Sequence, residues 1–228
     1  MRNPLVAFAG LVLFGCQGDV DPEDLRTAIF DDTTLCFPAS FSPDTTFMDA
    51  FLSPIEGQLD SSDVQELIFI PAAKIRGLVP GYSETHINKY GTAVPNDLIG
   101  IAYRISSMGN PNGREEKAWN VRASSDPFFV EQDPELPLFR IYPFSEPAFM
   151  WYLVKAPPPK NPSGPPPGNW YVANCVDTDA AISCSQSATF QSVDYEYHLY
   201  LEDMYLRDEV GQAVTQLMAE WNENCDPE

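Results

Sequence analysis

Two histidines, five cysteines and 33 acidic side chains are the groups in this 228-residue chain with the most chemistry open to them. Their spacing decides which chemistry is available. Neither His86 nor His198 belongs to the His-Glu-x-x-His pair that seats a catalytic zinc. No Gly-x-Ser-x-Gly turn, P-loop or Gly-rich dinucleotide turn is present. A serine nucleophile needs a histidine held in place by a further partner, and neither histidine has a local sequence context that would orient it. The paired carboxylates of a glycosidase depend on a separation in space that sequence spacing does not set. Asp177-Thr178-Asp179 begins like a calcium loop, but the glycine at the sixth position and the closing glutamate are missing. With no Cys-x-x-Cys pair the cysteines do not form a zinc pattern, so no metal and no cofactor is expected. What remains is chemistry suited to binding. The polar stretch Ser106–Lys117 is expected to be a long hairpin tip, and Asn110, Asn112, Arg114, Glu115 and Glu116 are its candidate partner-binding residues.

The location of that surface is set by the opening run Leu5–Cys16, twelve largely apolar residues behind Arg2. A membrane span needs about 20 apolar residues, so this run suits the core of an export signal instead. Leu13-Phe14-Gly15-Cys16 resembles the lipobox of bacterial lipoprotein precursors, with Phe14 departing from the usual small residue. The resemblance implies cleavage before Cys16, acylation of its sulfur and its new amino group, and attachment to the membrane through that lipid. Two or three chains, at about 0.8 kcal/mol per buried methylene, anchor a domain stably where one does not. An ordinary secretory signal or an uncleaved anchor is the alternative reading of the same run. In the family an aspartate after the cysteine favours the inner membrane, so Gln17 points to the outer membrane of a bacterial envelope, facing the periplasm.

With Cys16 lipidated, Cys36, Cys175, Cys184 and Cys225 remain, an even number in an oxidising compartment, which suggests two disulfides among three possible pairings. Cys175 and Cys184 enclose eight residues and read as a loop stapled at its base; Cys36 and Cys225 then tie the start of the domain to its end.

The full chain carries a net charge of −20. Removal of residues 1–15 takes away Arg2 alone among the charged side chains, leaving 12 basic against 33 acidic groups, a net charge of −21. So negative a chain repels phosphate backbones and offers no basic cluster, which argues against nucleic acid as a partner. The charge either keeps an exported protein soluble or complements a protein partner with a basic surface.

The elements that would position these groups form an α+β, β-rich fold: an antiparallel sheet or sandwich with a C-terminal amphipathic helix packed on it. Residues 1–15 are the signal, 16–26 an acidic tether, and 27–228 a single β-rich domain carrying a Pro-rich loop at 156–169. Thr27–Phe30 and Thr34–Phe37 flank Asp31-Asp32-Thr33 as a hairpin. A helix is expected to open at Ser42-Pro43 and run through Phe47, Met48, Phe51 and Leu52, whereas Ala72–Leu78 is ambiguous. Leu67–Ile70 and Leu98–Ile105 read as strands, with Ala118–Ala123 as the expected partner of the latter. His86 falls in a polar, turn-rich stretch where a histidine is ordinarily solvated. Phe128–Val130, Leu138–Tyr142, Phe149–Val154 and Trp170–Val172 are further strands. The Pro-rich loop is semi-rigid because proline cannot donate to a sheet ladder. Tyr195, Tyr197, Leu199 and Leu201 alternate with Glu196, His198, Tyr200 and Glu202, giving a strand with one wet face. Asp208 is expected to cap a helix whose apolar stripe is Val210, Ala213, Val214, Leu217, Met218 and Trp221.

The early Leu35-Cys36-Phe37-Pro38 strand and the closing strand-then-helix ending in Trp221 resemble, in layout over about half the chain, some periplasmic immunity lipoproteins that neutralise toxins delivered between bacteria. The resemblance implies inhibition by occlusion, with acidic and aromatic loop residues plugging a basic cleft on the toxin. The competing expectation is an envelope hydrolase or assembly factor whose active-site residues are dispersed along the chain.

Overall fold

Alternation along Val193–Tyr200 builds strand β12 near the centre of the sheet, with Tyr195, Tyr197 and Leu199 buried on one face as the pattern predicts. The computed structural model describes residues 24–42, 65–104, 112–178 and 180–225. The export signal, Cys16, most of the tether, the helix expected at 43–52 and Asn110 lie outside them.

The main sheet is wholly antiparallel and has eight strands. In spatial order they are β3 (Gln65–Ile70), β6 (Leu98–Arg104), β12, β11 (Ile182–Phe190), β10 (Tyr171–Asp177), β9 (Met150–Val154), β8 (Phe139–Tyr142) and β7 (Phe129–Gln132). β1 (Leu25–Phe30) and β2 (Thr33–Pro38) form the expected hairpin, with Asp31 in the left-handed region at φ 50°, a conformation aspartate tolerates. β4 (Thr85–Ile87) and β5 (Ala93–Pro95) make a second small hairpin.

One face of the sheet is covered by helix α3 (Arg207–Glu223) together with the β1–β2 hairpin, the helix-on-sheet packing the sequence leads one to expect. All six residues of the predicted stripe are buried. Trp221 packs on Phe37 and Phe41 at centroid distances of 5.6 and 6.1 Å. Asn222 Nδ2 donates to Thr34 O at 2.7 Å, and Cys36–Cys225 closes the same contact covalently. That bond joins positions 189 apart in sequence, worth about 5 kcal/mol in the loop-entropy account. Cys175 and Cys184 are directly opposed across β10 and β11 and are bonded, with Cα atoms 4.0 Å apart. Both pairings are the ones drawn from spacing.

The cap at Asp208 does not form. The 3-10 turn Leu201–Leu206 runs straight into α3, which has Leu206 in its N-cap position and no side-chain cap; Asp208 and Glu209 instead meet the positive end of the helix dipole in the first turn. Ala72–Leu78 resolves as helix α1. Ala118–Ala123 is not a strand beside β6, whose neighbours are β3 and β12. Residues 112–119 wind helix α2 (Asn112–Trp119), so the expected hairpin tip is in its second half a helix. Arg114-Glu115-Glu116-Lys117-Ala118 is a run of strong helix formers, and burial of Ala118 against the sheet supplies the packing that a short helix needs.

Gly100 on β6 has a specific reason to be glycine. A Cβ there would lie 2.5 Å from Glu196 O and 2.5 Å from Cζ of Tyr195, the ring that crosses it. Gly77, exposed in α1, has no atom within 4 Å of such a Cβ. Gly100→Ala is therefore expected to destabilise the fold by about 2–3 kcal/mol, because a backbone carbonyl cannot move aside. Gly77→Ala is expected to stabilise by about 0.5–1 kcal/mol, and urea midpoints of the two variants check the pair.

Candidate functional site

Among the described residues, the sheet's second face is covered at one end. Ala118 of α2 and Val121 just after it are buried against Ile141, Tyr152, Val154 and Trp170, a satellite core separate from the one under α3. Trp119 meets Trp170 edge to face at 4.8 Å, and its Nε1 donates to Gly164 O at 3.1 Å. Trp170 in turn donates from Nε1 to Ala156 O at 3.1 Å. Two tryptophans thus hold the Pro-rich loop at two points. The loop is docked on its own domain, consistent with the low conformational entropy of a proline-rich segment.

Between α2 and that loop runs a groove of about 390 Å³, lined by Glu115, Glu116, Trp119, Asn120, Gly164, Pro165 and Pro166. Two carboxylates, an indole and two proline rings therefore converge. Of the five residues expected to meet a partner, Glu115 and Glu116 line this groove. Arg114 points elsewhere: its Nη1 lies 3.1 Å from Glu196 Oε1, tying α2 to the wet face of β12. Asn112 opens α2 without a described side chain, and Asn110 lies outside the described residues. Trp119 and Asn120 are the groove residues not recognised as part of a binding site from the sequence; an indole among helix formers close to two acids is the available signal.

Two further polar constellations complete the inventory. On the open part of the same face Ser185 Oγ lies 3.4 Å from His198 Nδ1 across β11 and β12. Among the described residues no carboxylate is hydrogen-bonded to that imidazole, so a third group to orient it is missing. Beside them, burial pushes the Tyr103 and Tyr171 phenols above their ordinary value, which keeps both neutral at pH 7.

The other constellation corrects the expectation for His86. This residue is not solvated: it is buried in β4, stacked on Tyr200 at 3.7 Å with an interplanar angle of 16°, and its Nδ1 contacts the Glu202 carboxylate. The stretch around it folds back onto the 3-10 turn before α3, so that Asn96 Nδ2 donates to buried Asp203 at 2.8 Å and Tyr82 donates to Asn96 O at 2.9 Å. The contacts of His86 with Glu202 and of Asn96 with Asp203 join residues more than 100 positions apart and carry a structural load. Among the described residues no three His, Cys, Asp or Glu side chains come together as a metal site requires, and no helix is long and apolar enough to cross a membrane.

Compared with known proteins, the chain matches no family model, no curated protein and no solved structure. The site is accordingly judged on its own geometry.

Burial raises the Asp203 carboxyl above the ordinary aspartate value, an effect that the hydrogen bond from Asn96 only partly opposes. A carboxyl whose folded-state pKa is raised stabilises the fold while it is protonated, below its unfolded-state value, and loses that contribution as pH rises through the folded-state value. Ionised Asp203 therefore costs stability at neutral pH. Asp203→Asn keeps an acceptor for Asn96 and removes the charge. The variant is expected to melt above the parent protein at pH 7, with the gap closing as pH falls into the carboxylate range, as followed by thermal unfolding across pH.

Proposed function

We propose that this chain is a membrane-anchored lipoprotein of the bacterial envelope that acts by binding another protein, as an immunity protein occluding the active site of a secreted toxin. The observation that carries the reading is the acidic groove between α2 and the Pro-rich loop, preformed and held by Trp119 and Trp170. A rigid surface spends little of its interaction energy on ordering itself when a partner arrives. Its two carboxylates have the sign needed against a basic cleft, and the net charge of −20 steers such a partner from a distance. Attachment through lipid on Cys16 would hold the domain at the outer membrane, where an incoming toxin arrives. The two disulfides suit an oxidising compartment of this kind. Occlusion needs no catalytic group in the inhibitor, in keeping with a groove whose polar side chains are carboxylates and one amide.

The test is affinity capture with the full chain from secreted and envelope extracts. One tightly held basic protein is expected, and its association rate should fall about tenfold or more from 0.02 M to 0.15 M salt, where the screening length shortens to about 8 Å. Capture of no protein, or a rate indifferent to salt, would count against the reading.

A further inference from the structure

We propose that the groove between α2 and the Pro-rich loop is an arginine pocket: one arginine side chain of the partner lies along the Trp119 indole with its guanidinium between the carboxylates of Glu115 and Glu116. This rests on the protein-binding reading above and names the chemistry of the contact. Three features of the groove lead to it.

The first is shape. The space of about 390 Å³ lies between a helix and the Pro-rich loop, and Trp119, Pro165 and Pro166 together give it flat apolar lining. A guanidinium is planar and weakly hydrated and stacks on such surfaces, whereas an ammonium is compact and strongly hydrated.

The second is charge. The lining contains two carboxylates and no cationic side chain. Of the two cations that flank the pair in sequence, Arg114 is engaged with Glu196 on β12 and Lys117 is not among the residues that line the groove. Adjacent carboxylates offer more acceptor oxygens than one ammonium can use, and they match the fork of five N–H donors of an arginine.

The third is rigidity. Trp119 Nε1 donates to Gly164 O, so one bond fixes the indole to the Pro-rich loop, and Trp170 packs edge to face with it at 4.8 Å. Because Nε1 is already used within the domain, what the ring offers a ligand is its π face, the feature that attracts a cation. The same bond makes the Trp119 indole N–H a reporter for occupancy of the groove.

The experiment titrates acetyl-Gly-Arg-Gly-amide into the isotopically labelled full chain in detergent micelles, following the indole N–H resonances, with that of Trp119 assigned by Trp119→Phe. The lysine and citrulline peptides serve as comparators; citrulline keeps the planar shape and lacks the charge. Saturable movement of the Trp119 resonance is expected with the arginine peptide, binding about tenfold weaker with lysine, and none with citrulline. Glu115→Gln/Glu116→Gln, two nearly isosteric changes at residues that are not buried, should weaken the arginine peptide by about tenfold or more while leaving the far-ultraviolet circular dichroism unchanged. Equal response to citrulline, indifference to the double variant, or no movement up to about 50 mM peptide would overturn the pocket. Failure of the pocket and failure of the protein-binding reading separate cleanly: a captured partner that binds the double variant as tightly as the parent protein overturns the pocket alone, whereas peptide binding with no captured partner leaves the pocket and removes the larger reading.

Discussion

Tyr195 lying across Gly100 is the contact on which the arrangement of the sheet depends. Its ring occupies the space where a side chain on β6 would stand, and its hydroxyl donates to Ile68 O at 2.9 Å, with Leu98 O at 3.3 Å. One buried tyrosine on β12 therefore reaches both β6 and β3, and its phenol is satisfied where an unpaired one would cost about 1–3 kcal/mol. Tyr197 stacks beside it at 5.7 Å and extends the same apolar floor towards α3. The glycine that weakens β6 locally is what lets the neighbouring strand bring its largest side chain inside.

From that floor the two faces diverge in role. The face bearing Tyr195 and Tyr197 is sealed by α3 and by the β1–β2 hairpin, and Thr33 at the hairpin turn accepts or donates 2.7 Å from Ser192 Oγ at the β11–β12 turn, so two turns distant in sequence are locked together. The Cys36–Cys225 bond fastens the same layer at its other end. The opposite face carries polar residues along β11 and β12 and, among the described residues, is packed by α2 and the Pro-rich loop. The sealed face gives rigidity, and the proposed contact falls on the other. The acidic groove lies on the second, away from the layer formed by α3 and the β1–β2 hairpin.

The elements that repeat a single physical pattern are legible from residues alone. β12 alternates without interruption, α3 holds its apolar stripe over 17 residues, and both disulfides follow from loop length and a shortage of other partners. β11 escapes notice because Ser183, Ser185 and Ser187 occupy its wet face and Cys184, Gln186 and Ala188 the other, which leaves little hydrophobic alternation to detect. α2 escapes for a related reason: Ala118 is the one residue of Arg114–Ala118 that the fold buries, too few for a helical period. The components of the groove, Glu115, Glu116 and the Pro-rich loop, can each be singled out in the sequence. Their meeting depends on the bond from Trp119 to Gly164, 45 positions apart, and nothing local encodes it. His86 is the same lesson with opposite sign, since its burial depends on Tyr200 and Glu202 more than 110 positions away.

Recognition is proposed to fall on the half-covered face of the sheet, at the preformed groove. Hydrogen–deuterium exchange of the full chain, alone and saturated with its captured partner, tests this most directly, because backbone amides report protection element by element. Added protection is expected in residues 112–120 and in the non-proline amides of 156–169, with exchange of α3 and of the β1–β2 hairpin unchanged. Protection confined to α3 or to that hairpin, with α2 exchanging as in the free chain, would place recognition on the sealed face and contradict it.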